Sequence, residues 1–376
     1  MSTTTHARTF STPYREGVEL RIQHHVPPKP FGSGHGPCPR AKVAISQRQM
    51  YHDRVDFALD HPPLETEPPS REEHTFTITG TKTLRRPGLD PGGAQVVSGY
   101  FDGDKEVVCL AKIYDGVYYP LQDEDGLWLE WDCMTLADVD YAIETWAYGT
   151  MQPVEGVGAM LVPEYHGAWT FSLDTDQPGI RRWVRMLLLE LVPGETIFDK
   201  IPKAKENKAV QYYLLPDEET RLRVLKNTFE AYISIWWDAE VLHRDLAPRN
   251  VMVKPDGSIV LIDFDRATVF PFYYRPHQKY KDGAPPVPHS PIEQFWPFSP
   301  GWSIVTNRGS WADWFPQSWL MNREFVAEWL LETWGSPPPG KYAPLSKYFL
   351  DHPAHAKRSR KLQAALEKLG RKPAKE

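Results

Sequence analysis

Apolar residues recur at steps of three and four positions between residues 222 and 236, which predicts a helix with one buried face. The apolar positions are Leu222, Leu225, Phe229, Tyr232, Ile233 and Trp236. Two short apolar runs follow, at residues 251–253 and 259–262, and the Pro255-Asp256-Gly257 turn separates them. Runs of this length around a turn predict a β-hairpin. The pattern therefore predicts a helix, a loop and a hairpin in succession.

Two further apolar runs lie upstream, and each contains charged residues. Residues 107–114 include one lysine, Lys112, and residues 184–191 include Arg185 and Glu190. Both runs predict buried strands. A buried strand tolerates a lysine poorly unless the ammonium group has a partner. A strand-end lysine that reaches out to water is the alternative interpretation.

The loop between the predicted helix and hairpin carries side chains suited to phosphate chemistry. It reads His243-Arg244-Asp245-Leu246-Ala247-Pro248-Arg249-Asn250, and Asp263-Phe264-Asp265 follows the hairpin. Magnesium bound to a nucleotide takes oxygen ligands from one or two carboxylates, and an attacking hydroxyl needs a carboxylate within hydrogen-bond reach. The segment offers both, so we interpret it as a site for phosphoryl transfer from ATP. A surface loop with solvated acidic residues is the alternative.

This order and spacing of motifs resembles the catalytic and metal-binding loops of the protein-kinase-like superfamily, including a fungal-type group of such proteins. The resemblance implies that Asp245 accepts the proton of the substrate hydroxyl, that Asn250 holds a second magnesium ion, and that Asp263 chelates the magnesium bridging the phosphates. It covers residues 75–270 and implies ATP and Mg²⁺ as cofactors. The implied fold is α+β and bilobal, with a small β-rich N-lobe and a larger, mainly helical C-lobe.

The resemblance also assigns a nucleotide-binding role to residues upstream of the loop. Lys112 would contact the α- and β-phosphates and pair with a glutamate from the next helix. We expect that helix to begin with Thr135 as its N-cap. We choose Glu144 as the partner of Lys112. Glu130 is the rival, and an ordinary solvated glutamate is the further alternative.

The adenine and phosphate-loop positions follow from order along the chain. Glu190, Leu191 and Val192 would occupy the hinge whose backbone groups meet the adenine. The resemblance places a glycine-rich loop shortly before the lysine strand, where this chain has Gly92 and Gly93. Glycines let a backbone approach a phosphate closely. A plain hairpin turn explains these two glycines equally well.

The chain departs from protein kinases in and after these motifs. Position 265 is Asp, as in small-molecule kinases related to aminoglycoside and choline phosphotransferases, and we expect Asp265 to join the metal ligands. Ala247 stands where serine/threonine kinases carry a lysine, and no Ala-Pro-Glu motif follows Asp263. We expect the acceptor to be a protein hydroxyl. A small-molecule kinase, a catalytically silent pseudokinase scaffold and an interaction module built on the Trp-rich residues 296–334 are the alternatives.

Composition limits the partners and the compartment. The chain has 376 residues and a formal charge of −6, which gives no global attraction to nucleic acid. Its apolar runs are shorter than the roughly 20 residues of a membrane span, and its N-terminus lacks the apolar core of a secretory signal. Cys38, Cys109 and Cys133 are widely spaced and odd in number, which is typical of reduced thiols. We therefore expect a cytoplasmic or nuclear protein.

Four segments are predicted along the chain. Residues 1–70 form a proline-rich, partly disordered extension, residues 71–192 the N-lobe, residues 193–350 the C-lobe and residues 351–376 a basic tail. The tail is interpreted either as a nuclear-localisation or anion-binding patch, or as a solvated helix end.

Overall fold

The computed structural model describes residues 12–51, 53–84, 92–121, 129–201, 215–281, 283–298 and 311–351. Within these ranges the protein is mixed α/β and divides into two compact units. The first unit holds the described positions up to 33, 37–146 and 165–191, and the second holds 34–36, 147–164 and those from 192 onward.

Six antiparallel strands of the first unit form a closed sheet in the order β1-β2-β3-β4-β6-β5. These strands are β1 (Glu19–His24), β2 (Glu73–Thr83), β3 (Gln95–Phe101), β4 (Val108–Tyr114), β5 (Tyr165–Asp174) and β6 (Arg181–Glu190). Pairing of β1 with β5, with Gln23 opposite Thr170, closes the sheet. Strand β6 is buried on both faces from Val184 to Leu189, so apolar residues fill consecutive positions there, interrupted by the buried Arg185, and do not alternate with polar ones. The two upstream strands are thereby confirmed as β4 and β6.

The N-terminal residues are anchored to the first unit by a buried polar cluster. The Tyr14 hydroxyl donates to Oδ2 of Asp115 over 2.6 Å. Arg182 in β6 donates to both carboxylate oxygens of Asp115, over 2.5 and 2.7 Å. All three side chains are buried, and the ion pair is bidentate, so the charges are compensated where water is excluded. The chain before residue 70 thus contributes a sheet strand and a core contact.

Three helices accompany the closed sheet: α1 (Ile45–Arg48), α2 (Arg54–Asp60) and α3 (Cys133–Met151), of which α3 continues into the second unit. The prediction that Thr135 is the N-cap of α3 is wrong. The helix begins at Cys133, and the Asp132 carboxylate accepts hydrogen bonds from the Thr135 N–H and hydroxyl, over 2.8 and 2.9 Å. Aspartate is one of the preferred residues for this position because its carboxylate satisfies the free N–H groups of the first turn.

The second unit combines helices with short strands. Its strands are β7 (Glu195–Thr196), β8 (Val241–Leu242), β9 (Val251–Val253), β10 (Ile259–Leu261) and β11 (Thr268–Val269). Its further helices are α4 (Ile197–Lys200), α5 (Glu218–Asp238), α6 (Pro291–Gln294), α7 (Gln317–Met321), α8 (Glu324–Trp334) and α9 (Lys347–Asp351). Strand β9 pairs with β10 on one side and β7 on the other, while β8 pairs with β11. The predicted helix and hairpin are confirmed as α5 and β9–β10.

Tryptophans fill the core of the second unit. Trp296, Trp311 and Trp314 are fully buried. Trp314 is fixed to α5, because its carbonyl accepts a hydrogen bond from Arg221 over 2.5 Å and its indole N–H donates to the Arg221 carbonyl over 3.3 Å. These residues therefore stabilise the fold rather than form an exposed aromatic surface. None of the helices in the described part of the chain has the length and apolar character needed to span a bilayer.

Candidate active site

The loop after β8 is fixed by a buried histidine. His243 Nε2 lies 2.9 Å from the Ile262 carbonyl, and its Nδ1 accepts the Asp245 N–H over 3.3 Å. Both bonds form together only when the imidazole is neutral and protonated on Nε2. Burial favours this neutral form because it lowers the pKa of His243 below its usual value. The histidine therefore ties the start of the loop to the end of β10.

Asp245 is held in the loop by the two residues that end it. Asn250 is buried, and its Nδ2 donates to the Asp245 carbonyl over 2.9 Å and to Asp245 Oδ2 over 3.0 Å. Arg249 Nη2 donates to the same Oδ2 over 2.5 Å. The Asp245 side chain keeps 32% of its accessible surface. The carboxylate is thus oriented by protein donors and still reachable from solvent.

Asp263 follows the hairpin in a left-handed backbone conformation, with φ +70°. This conformation costs a residue with a side chain about 1–2 kcal/mol, although aspartate tolerates it better than most. The next residue, Phe264, is fully buried against His243 and Tyr148, with ring centroids 4.4 and 5.4 Å apart. The buried Phe264 ring therefore anchors the turn, and the half-buried carboxylate belongs to the residue before it, Asp263.

The hairpin brings the loop asparagine and the later aspartate together. Val251 pairs with Leu261 in the β9–β10 ladder, and the Ile262 N–H donates to the Asn250 carbonyl over 3.0 Å. Asn250 and Asp263 consequently lie at the same end of this hairpin, as the strand pattern predicts. Asp265 is half-buried, and its Oδ1 lies 3.9 Å from the Arg266 Nε.

Lys112 and Glu144 form an ion pair in the first unit. Lys112 Nζ, on β4, lies 2.5 Å from Glu144 Oε2 on α3, and the Glu144 side chain is fully buried. The Tyr114 hydroxyl donates to the same Oε2. Glu130, the rival partner, has a side chain that is 79% exposed and lies 3.4 Å from Lys42. The lysine in the apolar strand therefore has the partner that its burial requires.

Residues 202–275 match the phosphotransferase enzyme family. The matched segment contains the loop from His243 to Asn250 and the Asp263-Phe264-Asp265 motif. This match agrees with the resemblance to the protein-kinase-like superfamily and to its aminoglycoside and choline kinase members. A comparison with curated proteins gave no significant match to the chain.

The donor set of the matched segment suits a nucleotide-bound magnesium ion. Asn250 uses both Nδ2 hydrogens on Asp245, and its Oδ1 has no hydrogen-bond partner among the described residues. That oxygen and the Asp263 carboxylate are the hard ligands that magnesium takes, with water and phosphate completing the shell. The described residues contain no group of three or more His, Cys, Asp or Glu side chains that could enclose a metal alone. A phosphotransferase site needs no such group, because phosphate supplies ligands itself.

The structure describes the expected hinge residues in full and the expected glycine-rich loop only in part. Glu190 ends β6 opposite Cys109, and the chain passes from the first unit to the second between Leu191 and Val192. Gly93 has a positive φ of +143°, and a Cβ on Gly92 would lie 2.0 Å from Pro120. Packing against Pro120 therefore already explains Gly92. The stretch from residue 85 to 91, which the sequence places in the same loop, lies outside the described residues.

Three residues that contact the predicted site residues or their neighbours were not singled out from the sequence. Tyr114 contacts Glu144, Tyr148 packs on Phe264, and Arg249 contacts Asp245. Their spacings contain a signal: Tyr114 is two residues from Lys112 on one strand, and Tyr148 is four residues from Glu144 on one helix. Such spacings place side chains on the same face.

Proposed function

We propose that this chain is an ATP- and magnesium-dependent phosphotransferase with a bilobal kinase fold, transferring the γ-phosphate of ATP to a hydroxyl group. One observation supports the proposal more directly than the others do. The Asp245 carboxylate is oriented by Asn250, and Asn250 shares one hairpin end with Asp263. A base and two oxygen ligands so placed are the parts that phosphoryl transfer requires.

Each residue has a defined role in this proposal. Asp245 accepts the proton of the attacking hydroxyl, while Asn250, Asp263 and Asp265 provide oxygen ligands for magnesium. ATP would supply the phosphoryl group, and the magnesium held by these residues would offset the negative charge that develops on the phosphoryl oxygens.

The upstream residues bind and orient the nucleotide. Lys112 contacts the phosphates, and Glu144 and Tyr114 hold its ammonium group in place through Oε2 of Glu144. Gly92 and Gly93 cover the phosphates, and Glu190 and Val192 meet the adenine through their backbone. Because both bonds to Glu144 are buried, the lysine is positioned before the nucleotide arrives.

The acceptor is proposed to be a protein hydroxyl, with a small alcohol as the second candidate. The small alcohol is favoured by the match of residues 202–275 to the phosphotransferase enzyme family and by Asp265. The silent-scaffold alternative is disfavoured because Lys112, Asp245, Asn250 and Asp263 are all present. The proposed location is the cytoplasm or nucleus, where the free thiols of its three cysteines would stay reduced.

Transfer of label from γ-³²P-ATP tests the function. The purified protein is incubated with magnesium, labelled ATP and either a pool of unlabelled proteins or a panel of aminoglycosides and choline. We expect one acceptor class to take up label and Asp245→Asn to abolish the uptake. Equal labelling by the wild type and Asp245→Asn, or no labelling of any acceptor, contradicts the proposal.

A further inference from the structure

Three residues of the N-terminal region, Gly34-His35-Gly36, belong to the second unit and are called the arm here. The arm covers an edge of β11. Among the described residues this strand pairs with β8 alone, so its other edge needs a different partner. The Val269 N–H donates to Nε2 of His35 over 3.1 Å, and both residues are buried. A buried N–H without an acceptor costs free energy, so the imidazole meets a requirement of this edge.

The arm also contacts the chain just after β11. The Tyr274 N–H donates to the Gly34 carbonyl over 3.1 Å. The rings of His35 and Tyr273 meet edge to face, with their centroids 5.5 Å apart. Gly34 has a φ of +91°, and a Cβ there would lie 2.4 Å from Cε2 of Tyr273. The contact therefore requires glycine at position 34 and holds residues 269–274 at more than one point.

Strand β11 connects the two turns of the candidate site. It begins at Thr268, shortly after Asp265, and its partner β8 ends directly before His243. The Thr268 hydroxyl also accepts a hydrogen bond from Arg244 Nη1 over 3.1 Å. A displacement of β11 therefore reaches both turns.

Anchoring of the N-terminal region does not account for the arm contacts. Strand β1 and the buried Tyr14–Asp115 bond already fix the chain that precedes the arm to the first unit. His35 instead satisfies the strand into which the Asp263-Phe264-Asp265 motif leads. A histidine so placed can influence the site although it is more than 200 positions away in the sequence.

We propose that His35 is a positioning residue, which holds β11 from the arm and thereby keeps both turns of the site in place for phosphoryl transfer. This inference rests on the proposed phosphotransferase function. Without the Nε2 acceptor, residues 269–274 open more often, and the fraction of molecules with both turns in place falls. The rate falls with that fraction.

Hydrogen–deuterium exchange of the full chain tests the contact without any reference to activity. His35→Phe keeps an aromatic ring beside Tyr273 but removes the acceptor. His35→Gln restores an acceptor, because its Oε1 lies as many bonds from Cβ as Nε2 does. We expect amides in the peptide of residues 268–275 to exchange about tenfold faster in His35→Phe and close to the wild-type rate in His35→Gln. Exchange in α5 should stay unchanged.

Hydrolysis of ATP, with water as the acceptor, tests the effect on the site. In this reaction a water oxygen bonds to the γ-phosphorus, the bond to the β–γ bridging oxygen breaks to release ADP, and Asp245 takes the proton. We expect His35→Phe to lower kcat by about tenfold with little change in KM for ATP, and His35→Gln to recover most of the rate. The KM should hold because the proposed nucleotide contacts of Lys112 do not involve β11.

His74→Phe is the matched control. His74 is a histidine of the first unit that also stacks on an aromatic ring, Phe101, with centroids 4.9 Å apart. It also forms a hydrogen bond, from Nδ1 to Asp102 Oδ2 over 2.6 Å. The same substitution there should change neither kcat nor exchange in residues 268–275.

The two measurements separate the ways in which the inference can fail. Wild-type exchange in His35→Phe overturns the contact, and faster exchange with a wild-type kcat overturns its role in positioning. Equal losses in His35→Gln and His35→Phe, or faster exchange throughout α5, overturn the acceptor role, since a general loss of structure then explains the rate. A wild type that turns over neither water nor any acceptor of the labelling experiment overturns the phosphotransferase function, whereas the exchange data still decide whether His35 holds β11.

Discussion

Replacement of Glu144 by alanine should destabilise the first unit strongly. The Glu144 side chain is fully buried and that of Lys112 is only 10% exposed, so the ammonium group would lose the Glu144 carboxylate where little water reaches it. Removing one partner of a buried ion pair costs about 3–5 kcal/mol, because the remaining charge is left desolvated. The Tyr114 hydroxyl loses the same acceptor.

Urea unfolding measures this effect. With a slope of about 1–3 kcal/mol per M, a loss of 3 kcal/mol lowers the unfolding midpoint by about 1 M or more. Lys226→Ala is the control: its partner is Glu230, the lysine side chain is 41% exposed, and a pair in contact with solvent contributes only about 0–1 kcal/mol. The double variant Lys112→Met/Glu144→Leu should be more stable than Glu144→Ala, because it removes both charges of the pair. A midpoint for Glu144→Ala equal to that of the control refutes the reasoning.

Three further perturbations have defined outcomes. Burial lowers the pKa of His25 to about 3, so below pH 6.5 the unfolded chain binds a proton that the folded chain excludes. Stability should therefore fall by at most about 1.4 kcal/mol per pH unit from pH 6.5 downward. A His25→Phe variant whose urea midpoint falls with pH as steeply as that of the wild type contradicts this. Asp263→Gly should abolish transfer, because glycine adopts the +70° φ freely but offers magnesium no carboxylate; label transfer at the wild-type rate would contradict this role. Tyr14→Phe should lower stability by about 1–3 kcal/mol because the buried Asp115 loses a donor. An unchanged midpoint in urea would show that Arg182 and the Val117 N–H satisfy this carboxylate without the tyrosine.

The loop and hairpin of the candidate site were accessible from the sequence because their signals are local. The apolar steps of α5, the turn at residues 255–257 and the order of Asp245, Asn250 and Asp263 all lie within about 45 residues of chain. The lysine in β4 was informative for another reason. A charge in an apolar run requires a partner, and the nearest downstream helix supplied Glu144.

The closed sheet was not accessible in the same way. Its first strand, β1, lies in a proline-rich region and pairs with β2 and β5, which are distant in sequence. The six residues of β1 are too few for their periodicity to predict this pairing. The buried Tyr14–Asp115 contact likewise joins residues 101 positions apart. The cap of α3 was missed because Thr135 and Asp132 are both good capping residues, and only the backbone decides which one precedes the first turn.

Calorimetric titration of ATP into the wild type and Asp263→Asn, each with and without magnesium, tests the central claim most directly. The account predicts that magnesium tightens ATP binding to the wild type and that Asp263→Asn loses this dependence while it keeps its fold. Binding of ATP that is indifferent to magnesium in the wild type, or equally magnesium-dependent in Asp263→Asn, would contradict it.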